Sequence, residues 1–180
     1  MRLFLAAPLT EDARHAIVAH LRGSLAHPLP GRPVRPENWH LTLRFLGEVD
    51  EVGVDWVIRE VDAAERGPAF TVRWGSLGAF PRPRRATVLW LGLERGAEEA
   101  ERLAAVVEEA VEAAGFAAED RPFRSHMTLS RLRPDQDVTA VLEAVPPVGL
   151  AMAVDRVVLY RSHLGRGGPR YERVESFLLG

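Results

Sequence analysis

One twelve-residue pattern occurs twice in this chain, and any fold must accommodate both copies. Residues 35 to 46 run Arg35-Pro36-Glu37-Asn38-Trp39-His40-Leu41-Thr42-Leu43-Arg44-Phe45-Leu46. Residues 121 to 132 run Arg121-Pro122-Phe123-Arg124-Ser125-His126-Met127-Thr128-Leu129-Ser130-Arg131-Leu132. Both fit R-P-x-x-x-H-x-T-L-x-x-L at an offset of 86 positions, with six of the twelve residues identical. With six His and six Thr in 180 residues, about 0.2 H-x-T triplets arise by chance, so one alone would mean little. Two inside matching flanks point to an internal duplication. Alternate residues of a strand share a face. Each copy read as a strand therefore projects its histidine and threonine together. Duplicated halves would bring two such pairs face to face, a set suited to a phosphate diester. The alternative is a relic of duplication, two core strands with ordinary buried histidines. Histidine is only intermediate in burial tendency, which disfavours it.

The order of elements repeats as well. Leu3 to Ala7 reads as a strand, and Thr10 followed by Glu11 and Asp12 as a helix start. Ala13, Ile17, Leu21 and Leu25 recur at i+4 and predict an amphipathic helix to about Ala26. Pro28, Pro30, Gly31 and Pro33 form a loop before the first motif strand, about Trp39 to Leu46. A second helix opens at Asp50, and Phe70, Val72 and Trp74 alternate as a strand. Gly75, Gly78, Pro81 and Pro83 punctuate a predicted loop, followed by a strand over Thr87 to Leu93. A helix over residues 97 to 114 ends at Gly115. The second motif strand then starts near Ser125, with a short helix at 136 to 144. Strands are predicted at Val148 to Ala153, Arg156 to Ser162 and Arg170 to Leu178, the last two joined by a loop with Gly165, Gly167 and Gly168.

One repeat thus covers about residues 2 to 74 and the other about 87 to 153, with closing strands at 156 to 178. The expectation is a single α+β domain of two intertwined lobes. A pseudo-two-fold axis relates them, their sheets face a central cleft, and helices lie outside.

Composition narrows the chemistry. No cysteine is present, which excludes disulfides, thiolate metal sites and a Cys nucleophile. All 23 basic residues are arginine, so no Walker lysine, Schiff base or lysyl adenylate can form. An all-arginine surface suits bidentate phosphate contact and is equally what GC-rich coding produces. A net charge of −2 argues against sequence-blind nucleic-acid coating but allows a local basic cleft. Arginines cluster at 82, 84 and 85, at 121, 124, 131 and 133, and at 161, 166, 170 and 173. No apolar run is long enough to span a membrane. The brief apolar start running into Glu11 and Asp12 is unlike a signal peptide, so the expected compartment is the cytoplasm. His15, His20 and His27 make no metal set, and no metal or cofactor is expected. Phe4, Trp39, Phe123 and Tyr160 could stack a base or fill the core.

The paired motifs resemble those of the 2H phosphoesterase superfamily. Within it the chain is most similar to the RNA 2′,3′-cyclic phosphodiesterases, formerly called 2′-5′ RNA ligases. The likeness spans nearly the whole chain. It includes Arg2-Leu3-Phe4-Leu5-Ala6, His40-Leu41-Thr42-Leu43-Arg44-Phe45-Leu46-Gly47 and Ala86-Thr87-Val88-Leu89-Trp90. His126-Met127-Thr128-Leu129-Ser130-Arg131, Leu159-Tyr160-Arg161-Ser162 and Tyr171 complete it. Ser125 departs from the proline the family usually carries before its second histidine.

The resemblance implies metal-independent opening of a terminal 2′,3′-cyclic phosphate to a 2′-phosphate, with reversal able to join RNA ends. It implies His126 as general base and His40 as general acid; the residues themselves support only an acid–base pair. Thr42 and Thr128 would bind the non-bridging oxygens. Arg131 is a candidate for the same phosphate, although its odd spacing from His126 turns it away unless the strand bulges. Two other readings compete. One is a phosphodiesterase of small cyclic nucleotides such as ADP-ribose cyclic phosphate; the other is a non-catalytic module that binds RNA ends. A monomer is the simplest expectation.

Overall fold

The computed structural model describes residues 1–165 and 168–180. Arg166 and Gly167, assigned above to an arginine cluster and a hairpin loop, lie outside the described residues. The fold is α+β, with two antiparallel sheets and four α-helices among the described residues.

The first sheet holds β1 (Arg2–Pro8), β3 (His40–Glu48), β8 (Arg156–His163) and β9 (Arg170–Leu178), in the order β3-β1-β8-β9. The second holds β2 (Arg32–Pro33), β4 (Phe70–Phe80), β5 (Ala86–Arg95), β6 (His126–Gln136) and β7 (Leu150–Val154), in the order β2-β6-β5-β4-β7. Set side by side, β3-β1-β8-β9 matches β6-β5-β4-β7, and the two H-x-T strands hold equivalent places. They also meet: β3 and β6 approach each other across the two sheets.

The helices form for local reasons. Thr10 caps α1 (Glu11–Ser24) by accepting a bond from the Ala13 amide at 3.2 Å. The spacing of Ala13, Ile17 and Leu21 then buries one stripe. Asp50 caps α2 (Glu51–Ala63) through the Gly53 amide at 2.8 Å, and Val54, Val57 and Val61 turn inward. Gly96 takes φ +83 at the start of α3 (Ala97–Ala113), where any Cβ would sit 2.7 Å from the Thr71 carbonyl oxygen. α3 lies against β3, β5 and α2, so it joins the halves, and α4 (Thr139–Ala144) is short. Ile17, Val57, Leu89 and Leu129 are fully buried, and each stabilises the fold by about 1.5–3 kcal/mol relative to exposure.

Two expectations change. Gly75 and Gly78 belong to a strand rather than a loop, because β4 continues to Phe80. Trp74 faces Leu93 and Leu77 faces Leu91, so Gly75 and Ser76 form a bulge that keeps the strand running. Gly78 lies flat under Trp90, whose ring fills the place a Cβ would take. Arg32 and Pro33, expected in the proline loop, form β2 and pair with Arg131 and Ser130.

Both H-x-T strands carry a bulge at the same place. In β3, Ala6 faces Thr42 and Leu5 faces Arg44, leaving Leu43 as the extra residue. In β6, Trp90 faces Thr128 and Leu89 faces Ser130, leaving Leu129 extra. The two leucines are 86 positions apart and both are buried. A bulge resets the in–out alternation. Beyond it, Phe45 and Arg131 return to the face occupied by histidine and threonine.

Candidate active site

Each histidine is the first residue of its strand, and each is anchored in the same way. His40 Nδ1 lies 2.7 Å from the Asn38 carbonyl oxygen, and His126 Nδ1 lies 2.7 Å from the Arg124 carbonyl oxygen. A carbonyl only accepts, so Nδ1 carries the hydrogen in both rings. Nε2 is then the atom left to take or give a proton. The residue between anchor and ring is Trp39 in one copy and Ser125 in the other. The second histidine, preceded by Ser125, is thus anchored at the same distance as the first, preceded by Trp39.

Aromatic walls support both rings. His40 packs at 4.8 Å from Phe4 and edge-on at 5.5 Å from Tyr171, with Tyr160 stacked on Phe4 at 5.3 Å. His126 meets Phe80 edge-on at 5.1 Å and Trp90 at 6.2 Å. Asn38 Nδ2 also donates to the Pro169 carbonyl at 2.7 Å, tying the β8–β9 connection to the turn beneath His40.

Burial governs the protonation of both rings. Desolvation pushes His40 down to about 4, opposed by the bond to Asn38 and aided by the charges of Arg131 and His126. His126 is also lowered, chiefly by desolvation, against its bond to Arg124 and with help from Arg131. Both shifts favour the neutral imidazole in the free protein. The charge of Arg131 reaches both rings and also Tyr171, so these groups share one electrostatic environment.

The bulge at Leu129 supplies what the odd spacing of Arg131 requires. Thr42 and Thr128 lie two residues past their histidines on the same face and are half-buried. Two imidazoles able to take or give a proton at Nε2, with hydroxyl donors and a guanidinium, make a set suited to moving two protons around one anion.

Of the four proposed stacking residues, Trp39 is a core residue, its indole donating to the Val34 carbonyl at 3.1 Å. Phe123 packs against the core. Phe4 is buried beneath His40, and Tyr160 is half-buried against Phe4. Tyr171, Phe80 and Trp90 escape sequence reasoning as neighbours of the histidines. In β5 the alternation of Val88, Trp90 and Gly92, opposite Arg131, Thr128 and His126, is the available signal.

A concavity of about 540 Å³ opens beyond Arg131, lined in part by Arg82, Arg85, Thr87, Arg133 and Asp135. A second, of about 250 Å³, lies by Arg35, Asn38 and Arg170, on the His40 side. Among the described residues, no group of three His, Asp or Glu side chains is placed to hold a metal ion.

A family model described as LigT like Phosphoesterase matches the chain twice, over residues 11–90 and 91–171. The chain is 38% identical over 160 residues to the RNA 2′,3′-cyclic phosphodiesterase of Aeropyrum pernix, covering 86% of this chain and 90% of the relative. To the RNA 2′,3′-cyclic phosphodiesterase of Escherichia coli it is 33% identical over 180 residues, covering 99% and 96%. The crystal structure of E. coli LigT complexed with 3′-AMP superposes with a TM-score of 0.82 at 32% identity, covering 99% of this chain and 97% of that one. The crystal structure of TT0787 of Thermus thermophilus superposes with a TM-score of 0.81 at 34% identity, covering 99% and 98%. The duplicated motif, the paired sheets and these likenesses over almost the full length agree: the chain belongs to the LigT-like phosphoesterase family.

Proposed function

We propose that this protein is an RNA 2′,3′-cyclic phosphodiesterase that opens a terminal 2′,3′-cyclic phosphate to a 2′-phosphate. One observation carries the reading. Two imidazoles, each pinned through Nδ1 to the carbonyl two residues earlier, open strands that approach each other, and the charge of Arg131 acts on both. Relatives named for this activity at over 30% identity support it.

In the forward direction His126 Nε2 removes a proton from water as the new O–P bond forms. The P–O3′ bond breaks on the opposite side, and the departing 3′ oxygen takes a proton from His40 Nε2. Thr42, Thr128 and Arg131 hold the non-bridging oxygens and balance charge that grows in the transition state. Deep burial makes protonated His40 a strong acid that is scarce in the free protein. The anionic phosphate offsets that burial and raises the fraction protonated once substrate is bound. Exchange with solvent resets both rings, and running the steps backwards joins ends through a 2′-5′ linkage. No metal takes part in this scheme. All five residues come from one chain, so a monomer suffices, and RNA-end processing implies the cytoplasm.

The test is the product formed from a 2′,3′-cyclic mononucleotide in the presence of EDTA, identified by phosphorus NMR. A 2′-phosphate with unabated turnover is expected. A 3′-phosphate would refute departure of the 3′ oxygen.

A further inference from the structure

The concavity of about 540 Å³ arises from a mismatch between two paired strands. Val88 faces Arg131 and Ala86 faces Gln136, so Leu132 to Asp135 stand opposite Thr87 alone. The excess residues form a wide irregularity within β6, and the 3-10 turn Pro83–Arg85 packs against that strand. Arg82, Arg85 and Arg133 converge on the hollow with a single carboxylate, Asp135. Arg85 neutralises that carboxylate through a 2.8 Å bond, and the contact lowers the proton affinity of Asp135. Arg82 and Arg133 are exposed and make no ion pair among the described residues.

The hollow adjoins the cleft. Arg133 follows Arg131 by two residues, roughly 7 Å along an extended strand. Arg32 on β2 is paired directly opposite Arg131, an exposed opposition of like charges that a bound anion would relieve. Arginines thus recur along β2 and β6 between the second histidine and the hollow. The His40 side presents aromatic rings and a smaller concavity, of about 250 Å³, where Glu37 accompanies Arg35 and Arg170.

We propose that the hollow is a backbone subsite for single-stranded RNA: Arg82 and Arg133 hold the phosphate 5′ to the cyclic end while Arg85 shields Asp135. The inference rests on the phosphodiesterase reading and deepens it, because it makes an oligonucleotide rather than a mononucleotide the preferred substrate. A strand leaving the reacting phosphate past Arg131 and Arg32 meets Arg133 and Arg82 next. Planar guanidiniums suit bidentate phosphate contact without reading a base.

The test compares the parent with the double variant Arg82→Ala/Arg133→Ala. The substrates are a cyclic mononucleotide and a six-nucleotide RNA with the same cyclic end. The variant should lower kcat/KM for the RNA at least about tenfold more than for the mononucleotide. Anisotropy with the 2′-phosphorylated RNA should show weaker binding and a salt slope smaller by roughly 1.4, about 0.7 for each lost contact. Equal losses on both substrates, or an unchanged slope, would overturn the subsite. Should the parent fail to turn over either substrate, the phosphodiesterase reading falls, and the anisotropy arm still decides the subsite by itself.

Discussion

Phe45 and Arg131 occupy one position in the two halves of the molecule, three residues past Thr42 and Thr128, each returned to the cleft face by a bulge. Phe45 is 55% exposed and packs 5.9 Å from Phe4. Arg131 instead spreads its charge over both imidazoles. The cleft is symmetric in its proton carriers and asymmetric in its flanks. In the proposed scheme that asymmetry is what lets two residues of one type take different roles.

Arg131→Ala should therefore do two things. Losing a guanidinium at the developing charge should lower kcat/KM by about 10²–10³-fold. Losing its repulsion should raise both histidines, so the pH profile of the residual activity should move to higher pH. Arg131→Lys should restore part of each effect. An unmoved profile in Arg131→Ala would show that the guanidinium does not act on the rings.

The parent profile has a definite placement. With His40 held at about 4 and His126 below 6.5, both limbs of the kcat/KM bell lie on the acid side of 6.5. Activity of the free protein on dilute substrate should peak between about 4 and 6.5 and fall as pH rises beyond it. An optimum above about pH 7.5 would contradict the burial of these rings.

Stability should follow the same groups with the opposite sense. Unfolded histidines bind protons from about 6.5 downward, whereas the folded rings resist until lower pH. Stability is then fully present above about 6.5 and is lost as pH falls towards about 4. The midpoint of thermal unfolding should drop across that window. It should drop less in His40→Gln, measured by circular dichroism.

His40→Ala and His126→Ala should each keep the far-ultraviolet spectrum of the parent and lose about 10²–10⁴ in turnover of a cyclic nucleotide. Thr42→Val and Thr128→Val, nearly equal in volume, should each cost about 10²-fold while leaving thermal stability close to parent. Full activity in both histidine variants would remove the acid–base pair from the scheme.

Two glycines offer a contrast in stability. Gly78→Ala drives a methyl into the Trp90 ring and should destabilise the fold by about 1–3 kcal/mol. Trp90 packs beside His126, so activity should fall too. Gly23→Ala meets nothing within 4 Å, lies in α1, and should stabilise by about 0.5–1 kcal/mol. Denaturant titration of both variants checks the pair.

The candidate chemistry is legible in the chain because it sits on a two-residue period. His40 with Thr42 and His126 with Thr128 need only strand alternation to be placed on one face, and the 86-residue offset pairs them. Arg131 is harder, since the bulge at Leu129 is defined by pairing with β5 and leaves no mark in β6 itself. Gly75 and Gly78 mislead for a related reason. Glycine signals a turn when only the chain is seen, yet here Gly75 sits in a bulge and Gly78 yields space to the Trp90 indole on the neighbouring strand. The aromatic neighbours Phe80, Trp90 and Tyr171 depend on cross-strand register; alternation within β5 puts Trp90 on a face without fixing what lies opposite it.

β4, encoded before the second repeat, lies between β5 and β7, while β8 and β9, encoded after it, extend the sheet from β1. Cutting the gene near residue 85 would therefore give two fragments that each lack strands held by the other. Neither piece should fold alone, whereas the two expressed together could reassemble by complementation. A tandem ancestor would have had to trade terminal strands between its copies before the present single chain became inseparable.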